Sequence, residues 1–224
     1  YEDIAASGGG ILSSVQNIRN INEEQLFDES LERVNFFLSH GTTTIEAKSG
    51  YGLTTKDELK SLRVIKKLNE VSQLDIIPTF MGAHAFPPEY ESKHGDYVDL
   101  ICNEMIPSIV EQKLAEFCDV FCERGYFSIE DSRKILKTAK KHGMKIKLHA
   151  DEFNDSNAAE LAAELKAVSA DHLMSVSDAG IKAMADKGVI GTLLPGTTLF
   201  LGQSNYANGR KMVDMGCDIA LATD

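Results

Sequence analysis

The chain has 224 residues, 43% hydrophobic and 25% charged, which is enough for one sizeable core; all-parallel α/β domains commonly reach this length as a single domain. Its 34 acidic and 23 basic side chains give a formal net charge of -11, which repels phosphate and argues against nucleic acid or an anionic membrane as partner. Four cysteines without a Cys-x-x-Cys pair signal neither a zinc knuckle nor a disulfide framework, and read as core thiols of a reducing compartment. No apolar run approaches the roughly 20 residues needed to span a bilayer, and no basic-then-apolar leader opens the chain. The expectation is a soluble cytoplasmic protein acting on a small molecule. The sequence opens at Tyr1 rather than Met and stops at Asp224 directly after an apolar run, so both ends read as cut.

In chain order, short β-branched apolar runs alternate with amphipathic stretches, the pattern of a parallel sheet with crossover helices. Strands are predicted at Thr42 to Ala47, Asp75 to Met81, Asp119 to Cys122, Lys145 to His149, Ala170 to Leu173, Val189 to Leu194 and Asp218 to Thr223. Helices are predicted at Asn22 to Leu38, Thr55 to Val71, Tyr97 to Leu114, Ile129 to His142, Asn157 to Leu165, Ser177 to Lys187 and Asn205 to Met215, each with apolar residues three and four apart. Thr55 and Glu58 stand at capping-box spacing, Ser128 opens a helix, and Gly41, Gly143, Gly188 and Gly216 stand where C-terminal glycines belong. Pro107 should kink or split its helix.

A βα repeat fits either a (β/α)8 barrel or an open doubly wound sheet. The barrel is favoured because polar residues end many strands, whereas an open sheet gathers its ligand at one switch point. No GxGxxG follows a strand; Gly8-Gly9-Gly10 precedes a helix instead, and Pro195-Gly196-Thr197-Thr198 reads as a turn. The fold expected is therefore a single incomplete (β/α)8 barrel domain over 1–224, with seven strands present and an eighth placed before Tyr1.

The strand ends supply Glu46, Lys48 and Tyr51, then His84, Glu123, His149 with Glu152, Asp171 with His172, and Asp224. His149 and His172 end neighbouring strands and would aim both imidazoles over one barrel mouth, with Asp224 joining them; two imidazoles and a carboxylate suit Zn or Fe(II). Structural readings stand beside this one. His40 and His142 precede helix-ending glycines, where the dipole favours a cation, and His94 reads as a solvated loop residue. Asp171 could orient His172 or bind a loop amide, Glu46 and Lys48 could form a buried ion pair, and Asp151 reads as a turn residue. His84 alone decides nothing.

The strings "IEAKSGYGL" (Ile45 to Leu53), "TFMGAHAFPPEY" (Thr79 to Tyr90), "LHADEF", "SADHL", "LLPGTTLFLG" (Leu193 to Gly202) and "ALATD" resemble the imidazolonepropionase family of the amidohydrolase superfamily, in unbroken order from Tyr1 to Asp224. The resemblance implies a (β/α)8 barrel, a small flanking β domain absent here, and one Zn or Fe ion. It implies His149 and Asp224 as metal ligands; the family's HxH pair would precede Tyr1, and no HxH occurs in the sequence. It implies His172 facing water and substrate rather than the metal, Glu152 binding the imidazolone ring and assisting proton transfer, and Tyr51, His84 and Tyr1 contacting the substrate. The reaction implied is hydrolysis of 4-imidazolone-5-propanoate to N-formimidoyl-L-glutamate, with Glu152, His172 and Asp224 catalytic and a homodimer as the assembly. A nucleobase deaminase of the same superfamily, or a piece of the enzyme without activity, are the alternatives.

Overall fold

A computed structural model describes residues 11–224, so Tyr1 and Gly8-Gly9-Gly10 lie outside the described residues. The backbone contacts form two compact units, one up to Cys118 and one from Asp119 onward.

In the first unit, α1 (Ile11–Asn20) and α2 (Glu23–Ser39) precede β1 (Thr44–Lys48), α3 (Thr55–Val71) and β2 (Asp75–Ala83). The Asn22 side chain accepts from the Gln25 amide and the Gln25 side chain accepts from the Asn22 amide, a reciprocal box that starts α2. β1 and β2 pair in parallel, Thr44 opposite Asp75 through Lys48 opposite Thr79. Helix α3 has the predicted bounds, but its cap is Thr54 rather than Thr55: the Thr54 hydroxyl accepts from the Asp57 amide, while the Thr55 hydroxyl donates to Glu104. The apolar stripe Leu62, Val64, Ile65 and Leu68 is buried, while Lys56 and Lys66 on the other side stay in water.

The segment predicted as one helix over Tyr97 to Leu114 is α4 (His94–Leu100), a π-helical stretch Ile101–Met105, and α5 (Ile106–Glu111). Pro107 has no N–H to continue the ladder, and the backbone adjusts by one wide turn just before it, with the Ile106 amide donating to Ile101. His94 is not a loop residue: it opens α4, and its ring stacks on Phe86 at 3.7 Å between centroids.

In the second unit, β3 (Phe117–Cys122, entered from the first), β4 (Lys145–Ala150), β5 (Ser169–His172), β6 (Ile190–Leu193) and β7 (Ile219–Leu221) follow one another in chain order. The β4/β5, β5/β6 and β6/β7 pairs are parallel. Between them run α6 (Ile129–Lys141), α7 (Ala158–Leu165), α8 (Asp178–Lys187), α9 (Pro195–Phe200) and α10 (Gly209–Asp214). Ser128 caps α6 by accepting from the Asp131 amide, and Ile135, Leu136 and Ala139 bury one face against the sheet side. Ile135 is fully buried, so Ile135→Ala would cost about 2–5 kcal/mol.

All seven predicted strands exist, with ends shifted by at most two residues. Gly41, Gly143, Gly188 and Gly216 all have positive φ. Two helical readings need correction. The Pro195 turn begins a short helix, because proline's fixed φ suits a first helical turn, and the helix predicted from Asn205 starts only at Gly209, where the Asn208 side chain accepts from the Lys211 amide.

Candidate functional site

In the first unit, β1 leads into residues 49–53, and His84 directly follows the end of β2 at Ala83. Tyr51 and His84 meet edge to face, 5.0 Å between ring centroids at 85°. His84 is buried, and its Nδ1–H donates to the Gly50 carbonyl at 3.1 Å, while Tyr51 stays 39% exposed. The loop requires its glycines. Gly50 has φ +109, and a Cβ there would lie 2.6 Å from the Met81 carbonyl oxygen; a Cβ on Gly52 would lie 2.5 Å from Asp57 Cβ. Glu46 and Lys48 do pair, at 3.7 Å, but both side chains are half-buried and Glu46 also accepts from the Thr79 hydroxyl.

In the second unit, Asp119, His149 and Asp171 converge. Nδ1 of His149 lies 3.1 Å from Asp119 Oδ1, and Asp171 is the register partner of His149 across the β4/β5 pair. Asp119 is fully buried, and its carboxylate fixes the imidazole proton on Nδ1, so that Nε2 carries the ring's lone pair. Asp171 accepts from the Ser169 hydroxyl at 2.9 Å and pairs with Lys147 at 3.5 Å. One ligand atom from each of Asp119, His149 and Asp171 lies within 4.8 Å of the others.

His172 ends β5. Strict alternation along the strand would place it opposite Asp171, but its φ of +78 turns the chain, and its ring ends 5.0 Å from that of His149. Its Nδ1 lies 3.6 Å from Glu152 Oε1. Glu152 is buried, and burial pushes its carboxyl up to about 7; the charges of Asp224 and Glu123 push the same way, and His149 opposes them. Asp224 accepts from the Thr197 hydroxyl at 2.7 Å. The structure thus gathers His149, His172 and Glu152 with Asp119 and Asp171, and places Asp224 within electrostatic reach of Glu152.

The loop holding Glu152 is itself clamped. Asp151, in left-handed conformation at φ +50, accepts from the amides of Ser156, Ala158 and Ala159, so it caps α7 from seven residues away, the turn role its sequence suggested. Glu123 accepts from the Phe153 and Asn154 amides, the Ser156 hydroxyl and the Asn154 side chain. Asp151, Asp155 and Glu160 also bring ligand atoms within 4.8 Å, but Asp151 already spends its oxygens on the positive end of α7. Asp119 and Glu123 escaped a ligand or clamp role in the sequence; the signal for Asp119 was an acid inside the apolar string "FCDVFC".

No protein-family model matches the chain. It is 53% identical over all 224 residues to a protein named imidazolonepropionase from Thermoanaerobacter pseudethanolicus, covering 54% of that protein, and 53% identical to one from Clostridium tetani, covering 53% of it. The chain belongs to the imidazolonepropionase family. It spans about half the length of the curated relatives it matches. Among solved structures it resembles 5-methylcytosine deaminase from Klebsiella pneumoniae liganded with 5-fluorocytosine, with a TM-score of 0.74 at 13% identity over 96% of this chain and 55% of that one. An amidohydrolase from Burkhoderia ambifaria with bound Zn matches at a TM-score of 0.67 and 15% identity, over 91% of this chain and 58% of that one. At such identities the likeness concerns the fold: this imidazolonepropionase-family chain is part of a (β/α)8 barrel with flanking helices, as the βα repeat predicted. Among the described residues no helix is long and apolar enough to cross a membrane.

Proposed function

We propose that the protein carrying this sequence is a cytoplasmic, metal-dependent hydrolase that opens 4-imidazolone-5-propanoate to N-formimidoyl-L-glutamate in histidine degradation. The observation that carries the reading is the buried group of His149, His172 and Glu152 at the strand ends of a chain of this family.

The donor set fits a divalent ion. An imidazole whose Nδ1 proton is held by a buried carboxylate presents Nε2 as a ligand, and several carboxylates surround it with Lys147 as the nearby cation. In this reading His149 and Asp224 hold Zn or Fe, which when bound lowers the pKa of a water to about 7 and so supplies hydroxide at neutral pH.

The chain's own groups do the rest. Tyr51, His84 and Tyr1 bind the substrate and orient its propionate arm. Glu152, whose buried carboxyl keeps its proton to about pH 7, donates a hydrogen bond to the ring. His172 faces the ring carbonyl and stabilises the negative charge that develops on its oxygen. Asp224 takes the proton of the attacking water and returns it to the ring nitrogen as the C–N bond breaks, which leaves a carboxylate and an N-formimidoyl group. The family likeness also supports a homodimer, which sedimentation would read.

The test is an assay on the complete protein, following loss of the imidazolone chromophore. Ring opening that a chelator abolishes is expected. Ammonia release from a nucleobase with the imidazolone left intact would replace this reading by that of a deaminase.

A further inference from the structure

Glu58 stands in the first turn and a half of α3, where an acid usually faces water and favours the helix dipole. Here it is fully buried, and the cap is made by others: Thr54 accepts from the Asp57 amide and donates to the Asp57 carboxylate. Glu58 is committed to the loop over 49–53. Its Oε1 accepts from the amides of Gly52 and Leu53, both at 2.9 Å. The peptide group between those two residues is held at its other end as well, because Arg19 Nε donates to the Gly52 carbonyl at 2.8 Å, and Arg19 is anchored by Glu89.

These bonds bracket Tyr51. The peptide before it is fixed by His84 donating to the Gly50 carbonyl, and the peptide after it is fixed by Glu58 accepting from the Gly52 amide. His84 is steadied in turn, since the Tyr97 hydroxyl donates to the Gly82 carbonyl at 2.8 Å just before it. Burying a carboxylate is costly unless its hydrogen bonds are made, and burial holds the Glu58 carboxyl above its usual range while the Ser49, Leu53, Gly52 and Gly50 groups pull it down. The contacts of this buried carboxylate that an apolar side chain could not make are those of Oε1 with the two loop amides.

We propose that Glu58 is a positioning residue that sets the backbone of residues 49–53 so that Tyr51 and His84 meet the carboxylate-bearing arm of the substrate. The proposal rests on the reading of Tyr51 and His84 as substrate contacts. Glu58 itself touches no substrate; it acts through two amides.

The experiment compares Glu58→Leu, Glu58→Gln, Tyr51→Phe and the double variant Glu58→Leu/Tyr51→Phe in the complete protein. Glu58→Leu keeps the volume and removes the acceptor, and should raise KM about tenfold with kcat within about threefold; Glu58→Gln keeps an acceptor oxygen and should stay within about threefold in both. In the Tyr51→Phe background the further rise in KM should be under about threefold, because the two act as one unit. A KM for Glu58→Leu within twofold of wild type, a loss confined to kcat, or full multiplication of the two effects overturns the proposal. If Glu58→Leu does not fold, amide hydrogen exchange on Glu58→Met, which also lacks the acceptor, decides: faster exchange at Gly52 and Leu53 with α3 unchanged supports it, and unchanged exchange there overturns it. Tyr51→Phe with an unaltered KM removes the underlying reading of Tyr51 and the inference with it, whereas an impaired Tyr51→Phe beside an unimpaired Glu58→Leu removes the inference alone.

Discussion

His149 Nδ1 lies 3.1 Å from Asp119 Oδ1, deep in the second unit, with the carboxylate fully buried on β3 and the imidazole one residue before the end of β4. This contact decides which ring nitrogen can serve a metal. Asp119→Ala should therefore weaken divalent metal binding about 10–100-fold, and Asp119→Asn, which keeps an oxygen to accept from Nδ1–H, should weaken it less. Competition with a chromophoric chelator measures both. Equal affinities in wild type and Asp119→Ala would show that the contact does not serve a ligand.

Glu152 makes stability depend on pH with a definite sign. Its folded carboxyl titrates at about 7, above the ordinary 4.5, so the folded chain holds a proton that the unfolded chain has already released. In the metal-free chain this stabilisation is complete below about pH 4.5 and is lost as pH rises to about 7, a change on the order of 3 kcal/mol at most. Urea midpoints across that range, compared with Glu152→Gln, isolate it: the variant should lack this fall.

Asp151 should matter for stability rather than chemistry. Asp151→Ala deletes three hydrogen bonds to the start of α7 and forces a residue with a Cβ, but without a polar group to compensate, into the left-handed region. The loss should be about 2 kcal/mol, whereas Asp151→Asn, which tolerates that backbone and keeps an acceptor, should lose less. Denaturant unfolding reads the difference.

Lys60 is a buried cation of the first unit. Its Nζ donates to the Ile18 and Ile21 carbonyls, at 2.6 and 3.0 Å, and to Asp57 at 2.8 Å. Lys60→Met would leave the Asp57 charge buried and unpaired and should cost about 3–5 kcal/mol. Lys60→Met combined with Asp57→Asn should recover part of that loss in the same unfolding measurement.

The strands were legible because parallel strands buried on both faces must be runs of apolar, β-branched residues, and the glycines with positive φ ended helices as their chemistry demands. Asp119 was read as the first residue of its strand, but β3 begins at Phe117, and that shift of two residues puts the acid inside the sheet, where its meaning depends on His149, thirty residues away. The reach of Glu58 to Gly52 and Leu53 was hidden for a related reason. Its spacing from Thr55 satisfied a local capping rule, and only the folded loop shows another cap and another use. The wide turn over Ile101–Met105 was foreshadowed by Pro107, though its form was not, since a proline says that a helix must adjust and not how. His94 took its place from a stacking partner, Phe86, eight positions earlier, which no local pattern announces.

The central claim is that His149 is a metal ligand of a hydrolytic site. Metal content of the complete protein, measured by elemental analysis beside His149→Ala after both are loaded with Zn or Fe and desalted, tests it most directly. The account predicts about one ion per wild-type chain and a large loss in the variant. An unchanged metal content in His149→Ala would contradict it.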